Sequence, residues 1–412
     1  MYTFKIGIPA EVHDTFVKNH PLCNLLQSSS WAKVKDNWGS EIVGVYEKDT
    51  LVASSLVLIK PLPAGFTMLY TPRGPVMDYT NERLVSYFMA ELKKFGKKKR
   101  ALFIKMDPAV HYQDFHLGEE HQPHAEATAI IETLKKAGAK YQGLTMDMGL
   151  TIQPRFQANI YREDFSEEQL SKSTKKMIKT AEKKGVVVQQ GHVDFVDEFE
   201  KVIQSTMERQ HISLRNSDYF KKLLNIYPED SFIMLAQVNL KERIDSTRQR
   251  YDKNQKDLSN LKENQVKKRH NLEELDASLT RELKELEENI AEAGEIVTVA
   301  GALAVTFGPT SEILYAGLDD RYKRYMPTYV TWRDAIQECF NRGCESCNMG
   351  GLEGSLNDGL IKFKANFNPT INEFIGEFDL PVNKLLFKAS EYAYKLRKQK
   401  NYRKNTGTKN QT

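Results

Sequence analysis

Short apolar runs bounded by polar turns recur along the chain in an order that is used twice. The first series predicts strands at 42–46 and 51–59, joined by the turn Glu47-Lys48-Asp49-Thr50. A strand at 67–71, a helix around 81–95 and a strand at 101–106 follow. The second series predicts strands at 231–238, 297–307 and 312–316, a helix around 327–341 and a strand at 345–349. Leu69-Tyr70-Thr71 and Leu314-Tyr315-Ala316 occupy equivalent points, and Asp107 and Asn348 fall at the ends of equivalent strands. Strands that alternate with a crossover-length helix, met twice, predict an α/β protein with two lobes.

The two series differ in one place. Where the first has a four-residue turn, the second has about 55 residues, from near 239 to 294, with no proline and no glycine before Gly294. Leu272, Leu275, Leu279, Leu283, Leu286 and Ile290 keep heptad-like spacings, and Ile244, Tyr251, Leu258 and Leu261 make a sparser stripe upstream. Residues 241–269 carry ten basic and five acidic side chains, whereas 273–292 carry two basic and eight acidic ones. A basic helix folded back on an acidic one, turning near 264–271, lets the insert leave and re-enter at a single hairpin. At ~1.5 Å per residue each helix reaches roughly 35 Å. The same heptads allow one alternative, a single long helix used for dimerisation. The expected organisation is a first lobe over 1–150 and a second over 151–238 plus 295–398. An antiparallel coiled-coil arm spans 239–294, and a basic flexible tail spans 399–412.

A chain of 412 residues with 40% hydrophobic content has ample material for two cores. No run of about 18 apolar residues suggests a membrane span. The opening MYTFKIGIPAEVHD lacks an apolar signal core, and four cysteines make no disulfide framework, so a cytosolic setting is expected. The net charge of +4 hides an uneven distribution. Lys93, Lys94, Lys97, Lys98, Lys99 and Arg100 form one basic block. Lys172, Lys175, Lys176, Lys179 and Lys183 form a second, at the spacing of one helix face. After Glu391 the tail carries seven basic residues and no acidic one. Three such blocks point to a polyanionic partner, nucleic acid or anionic lipid.

Several local strings resemble a known family. They are Gln27-Ser28 with Trp31-Ala32-Lys33-Val34-Lys35, then Arg73-Gly74-Pro75-Val76-Met77-Asp78, Asp107-Pro108 and Thr151-Ile152-Gln153-Pro154-Arg155. Leu314-Tyr315-Ala316-Gly317, Asn348-Met349-Gly350-Gly351 and Lys362-Phe363-Lys364 complete the set, in order from about residue 25 to 370. The chain resembles the Fem-type (FemA, FemB, FemX) tRNA-dependent peptidoglycan aminoacyltransferases. The arm and the basic tail make it most like the streptococcal MurM and MurN branch. The resemblance implies two acetyltransferase-like (GNAT-like) lobes with an inserted antiparallel helical coiled-coil arm. It implies transfer of an amino acid, alanine or serine for this branch, from aminoacyl-tRNA to the stem-peptide lysine amine or to a first branch residue. The acceptor would be the lipid-linked precursor at the inner face of the plasma membrane. Charge alone gives the basic tail a peripheral contact with anionic lipid, and a single chain that already supplies both lobes and the arm is expected to be a monomer. No metal or coenzyme is implied, because the ester already carries the activation.

The residues support part of this on their own. A coenzyme A site needs a glycine-rich turn whose amides cradle a pyrophosphate. The first series offers Thr71-Pro72-Arg73-Gly74-Pro75, in which two prolines remove amide donors, and the second offers Ala316-Gly317-Leu318-Asp319-Asp320.

By resemblance, Lys35, Arg215 and Tyr219 grip the precursor's diphosphate and sugar end, with Ser213 and Tyr315 along the same groove. A guanidinium fork and an ammonium suit a diphosphate, whereas Tyr315 also reads as a core aromatic. Asp107 holds the incoming ammonium or caps the turn before Pro108. Aspartate near 3.9 is a poor base for an amine near 10.4 unless burial raises it. Lys364 is the main catalytic candidate, as a fixed cation for the tetrahedral oxyanion of ester aminolysis. Phe363 would line the channel for the tRNA acceptor end. If this stretch is a strand, Lys362 points the same way as Lys364 and the two are not separable.

His111, His116, His121 and His124, with Asp114, Glu119 and Glu120, read as a solvated loop rather than a metal site, and Cys339, Cys344 and Cys347 as buried thiols. The competing reading of the whole chain is a non-catalytic RNA-binding scaffold that recruits a partner through the arm. The five lysines of the second block would bind tRNA phosphates in either case.

Overall fold

The computed structural model describes residues 1–389 except 167, 211–214 and 263. Ser213 and the basic tail therefore lie outside the described residues. The chain begins β1 (Tyr2–Ile6), α1 (Ala10–Lys18), α2 (Trp31–Val34), β2 (Gly39–Glu47), β3 (Thr50–Pro61), β4 (Thr67–Thr71), β5 (Val76–Met77), α3 (Glu82–Lys98), β6 (Ala101–Met106), β7 (His111–Phe115), α4 (Ala127–Lys136), β8 (Lys140–Tyr141) and β9 (Phe156–Tyr161). It continues α5 (Lys172–Lys183), β10 (Val186–Gly191), α6 (Val196–Gln210), α7 (Ser217–Ile226), β11 (Ser231–Asn239), α8 (Leu240–Ser259), α9 (Val266–Ala293), β12 (Ile296–Phe307) and β13 (Thr310–Leu318). Last come α10 (Pro327–Asn341), β14 (Ser346–Leu352), α11 (Gly359–Lys364), β15 (Thr370–Phe374) and β16 (Phe378–Pro381). The strands make two eight-stranded sheets, ordered β1-β2-β3-β4-β6-β16-β8 with β5 on β3, and β10-β11-β12-β13-β14-β9-β15-β7.

The repeat in the sequence is a repeat of topology. β1-β2-β3-β4-β6 and β10-β11-β12-β13-β14 run in the same order. In each series the last pair is parallel, β4 with β6 and β13 with β14, and a helix, α3 or α10, makes the crossover. The helices form where their caps and apolar faces direct them. Asn81 accepts the Leu84 N–H at 3.0 Å and starts α3. Leu84, Val85, Phe88, Met89, Leu92 and Phe95 then line its buried face. Pro327 opens α10, where a missing N–H costs nothing. β14 continues to Leu352, so Asn348 stands within its strand rather than at the end, and the register shifts between Asn348 and Gly351.

The chain divides into two compact units. One holds residues 1–165, 306–312 and 342 onward; the other holds 166–305 and 313–341. These boundaries do not follow the lobes outlined by the repeat. In the first unit β16 pairs with β6, placing Phe378 opposite Met106, and β15 pairs with β7 and β9. Its core joins Val43, Val57, Leu69, Phe88, Ile104 and Phe378. In the second unit β11 and β12 are almost wholly buried, as near-continuous apolar runs should be.

The insert in the second unit is two antiparallel helices. Arg248 pairs with Glu287, Arg250 with Glu282, and Asn254 donates to the Leu272 carbonyl, so rising numbers on α8 meet falling numbers on α9. The Leu240 N–H donates to the Glu295 carbonyl at 2.7 Å and closes the base. The turn falls between Ser259 and Val266, earlier than the expected 264–271. Without glycine or proline the stripe alone cannot place it, and Lys267, Lys268 and Arg269 join the first turn of α9. The stretch read as a histidine loop contains strand β7. There Asp114 accepts from His124 and from Asn372 and pairs with His111, which holds its carboxyl down to about 2.

Candidate active site

Asp107 follows β6 directly and is 2% exposed. Its Oδ2 accepts the Tyr70 hydroxyl at 2.8 Å and its Oδ1 accepts the Arg73 N–H at 2.7 Å. Burial raises this carboxyl to about 7, while Arg73 pulls the other way. Both oxygens are thus turned inward, and the geometry gives Asp107 the task of holding the 71–75 loop rather than meeting an amine directly. Arg73 sits at φ 52, a left-handed position unusual for a side chain of its size. Its guanidinium lies 3.9 Å over the Phe374 ring and donates to the Pro154 carbonyl at 2.6 Å.

Lys364 ends α11 and is also 2% exposed. Its amine donates to the Gly351 carbonyl at 3.0 Å. Burial lowers its pKa to about 7, with Asp358 acting against the shift. The segment is a helix, not the strand allowed by its sequence. Lys362 is exposed while Lys364 is buried, which removes the ambiguity between them. Phe363 is half-buried, edge-on to Phe367 at 5.8 Å.

The strings that stood apart in the sequence lock together in the first unit. Gln27 donates to the Pro72 carbonyl at 2.6 Å and accepts the Leu56 N–H at 2.9 Å. A Cβ on Gly74 would strike the Gln27 side chain, so these two strings require each other. Gln153 hydrogen-bonds Tyr70, Pro154 receives Arg73, and a Cβ on Gly351 would run into Pro154. Gly350, at φ 90, brings the backbone against the Lys364 amine. Asp107, Arg73, Pro154, Gly351 and Lys364 therefore form one continuous chain of contacts. The loop amides of Arg73 and Gly74 bond to Asp107 and to the Thr71 carbonyl.

In the second unit Arg215 is exposed, with its guanidinium 5.0 Å from the Tyr219 ring. Tyr219 and Phe220 stand edge-on to Tyr315 at 5.9 and 5.1 Å. Burial and the neighbouring Tyr315 push the Tyr219 hydroxyl well up. Tyr315 is half-buried, so three of the expected acceptor residues share one aromatic cluster. Lys35 lies in the first unit, half-buried, where it terminates α2. Lys172, Lys175, Lys176, Lys179 and Lys183 line one shallow surface groove on α5. In the sequence Arg73 stands out only as part of a motif, between two prolines, with no role of its own, and Glu312, a charged residue on a predicted strand, is not singled out.

The profile of the FemAB family matches residues 8–395. Aminoacyltransferase FemA of Staphylococcus epidermidis is 26% identical over 390 residues, covering 89% of this chain and 92% of that protein. FemA of Staphylococcus aureus is 25% identical over 407 residues, covering 93% and 96%. The lipid II:glycine glycyltransferase of Staphylococcus haemolyticus is 26% identical over 410 residues, covering 94% and 95%. Among solved structures, that of FemX superposes with a TM-score of 0.74 at 24% identity, over 94% of this chain and 99% of that one. With the profile spanning nearly the whole length, the chain belongs to the FemAB family.

Proposed function

We propose that this FemAB-family aminoacyltransferase moves alanine or serine from aminoacyl-tRNA to the lipid-linked peptidoglycan precursor. The acceptor is the side-chain amine of the stem-peptide lysine, or the amine of a first branch residue. The observation that carries the reading is the buried Lys364 amine, fixed on the Gly351 carbonyl and joined through Pro154 and Arg73 to Asp107. In the reaction the acceptor nitrogen attacks the ester carbonyl carbon, and a tetrahedral oxyanion forms. The carbon–oxygen bond to the tRNA ribose then breaks, the new amide bond remains, and the amine's proton passes to the departing hydroxyl. Lys364, when charged, stabilises the oxyanion from a water-poor site, where a fixed cation is worth most. Asp107 positions Arg73 and its loop.

By the same reading, Arg215, Tyr219 and Tyr315 of the second unit suit the diphosphate and sugar end of the precursor, and Lys35 and Ser213 are assigned the same role. Phe363 suits the terminal base or ribose of the tRNA. The α5 lysines suit its phosphates, which are gripped without regard to sequence. The ester is already activated, so no metal or coenzyme takes part. One chain supplies both compact units and the arm, which fits a monomer. The basic tail would keep the enzyme against anionic lipid at the inner face of the plasma membrane.

The test is transfer of label from glycyl-, alanyl- and seryl-tRNA to a lipid-linked, lysine-containing precursor, comparing wild type with Lys364→Ala. Alanine or serine should move, and the variant should fall by ~10²-fold or more. Absence of transfer from every aminoacyl-tRNA, with salt-sensitive RNA binding intact, would favour the scaffold reading instead.

A further inference from the structure

A sheet face covered by other parts of the protein is normally apolar. One face in the first unit is not. On β9, the side chains of Phe156, Ala158 and Ile160 are buried and ordinary, while the alternate positions are Gln157 and Asn159. Register continues this polar face across the neighbouring strands. Glu312 on β13 stands opposite Asn348 on β14, and Asn348 stands opposite Asn159. In the next row Gln157 stands opposite Asn372 on β15. A cavity of about 150 Å³ opens over this floor, with Phe374 in its wall. At ~30 Å³ per water it holds roughly five waters, or one small amino-acid residue.

The amides on the floor are oriented by their neighbours. Asn159 donates to the Asn372 carbonyl oxygen, and Asn372 donates to Asp114 at 2.6 Å. Asn348 accepts the Gly350 N–H at 2.7 Å, which turns its amide nitrogen toward Glu312. Glu312 is the one acidic side chain among the described lining residues. No ion pair to it occurs among the described residues, and its nearest formal counter-charge, Arg73, is engaged with Pro154 and Phe374. Burial pushes the Glu312 carboxyl up, against the pull of Arg73 and the Asn348 hydrogen bond, so a cation arriving in the cavity would favour its charged form.

The position of the cavity says which cation. The Asn348–Gly351 segment of β14 carries the partner of Glu312 at one end and the carbonyl that holds Lys364 at the other. An aminoacyl ester carries a positive α-ammonium one carbon from the carbonyl that becomes an oxyanion. Its positive end suits the Glu312 carboxylate, and the Asn348–Gly351 segment leads from there to the carbonyl that holds Lys364. Resting on the proposed tRNA-dependent transfer, we propose that the polar face of β9, β13, β14 and β15 is the donor's amino-acid pocket, with Glu312 binding the α-ammonium and Lys364 facing the ester carbonyl.

The probe is tRNA whose terminal ribose carries alanine through a stable amide, with the α-amine either free or N-acetylated, and uncharged tRNA as reference. Equilibrium binding to the full chain should favour the free amine over the acetylated form by ~10-fold or more. Glu312→Gln should erase this preference while binding uncharged tRNA as wild type does, which also shows that the variant is folded. Glu312→Asp should restore part of it. A Glu312→Gln protein that keeps the full preference would overturn the pocket assignment. A second arm compares a lysine-containing precursor with its norleucine analogue. Loss of discrimination there, with donor preference intact, would assign Glu312 to the acceptor amine and overturn the donor reading. Failure of wild type to bind any of the tRNAs would sink the proposed function itself, an outcome distinct from the other two.

Discussion

Lys364 is a lysine whose pKa is near neutrality because burial disfavours its charge. Its role is visible in a pH profile. The acceptor amine, ordinarily near 10.4, gains about tenfold in its reactive form with each unit of rising pH. If Lys364 acts as a cation, its charged fraction falls by the same factor above about 7. The logarithm of kcat/KM for the acceptor, at saturating donor, should therefore rise with unit slope up to about 7 and level off beyond it. A neutral Lys364 acting as base would instead give a slope near two below that point and near one above it. At this scale the sequence singled out Lys364 but left its segment open to a strand, where the structure has a helix. Asp358 caps a helix only six residues long, too short for periodicity to distinguish from a strand. Glu312 was hidden for a different reason. Its polar neighbours Asn159, Asn348 and Asn372 come from three other strands, and only register brings them together.

The elements were more legible than the residues. Each strand and helix of the twofold series is present, with boundaries shifted by a few residues, because apolar runs and caps are local signals. The pairing of β15 and β16 was not legible, since register between strands hundreds of residues apart is fixed by tertiary packing. The topological repeat also shows how to remove the arm. Its base closes on the Leu240–Glu295 bond, and at the equivalent place Lys48-Asp49 alone join β2 to β3. Replacing 240–295 with a Lys-Asp turn should leave a folded protein. Arg321 and Arg324 would lose Glu292 and Glu285 as partners, pairs that are partly solvent-exposed and cost little. If α8 and α9 contact the donor, the shortened protein binds tRNA at least ~10-fold more weakly and keeps precursor binding. Unchanged tRNA affinity would leave the arm outside donor recognition.

For the molecule as a whole, the proposed tRNA donor requires that a chain with a net charge of only +4 present its positive charge unevenly. The α5 groove concentrates five lysines on one face. Changing Lys175, Lys176 and Lys179 together to glutamate should weaken every tRNA alike and lower the slope of log affinity against log salt by roughly 2. A loss confined to one tRNA species would mean base readout and a different surface.

Synthesis sets its own order on this architecture. β6 lies between β4 and β16 in its sheet, yet β16 begins only at Phe378. A nascent chain thus carries β6 with one edge bare through the whole synthesis of the second unit. Such an edge invites pairing with other polypeptides. The ribosome finishes the second unit's strands before it supplies the strand that completes the first unit's sheet. Messages broken anywhere before that strand yield products with an open sheet, and these are natural clients for holding chaperones and proteolysis.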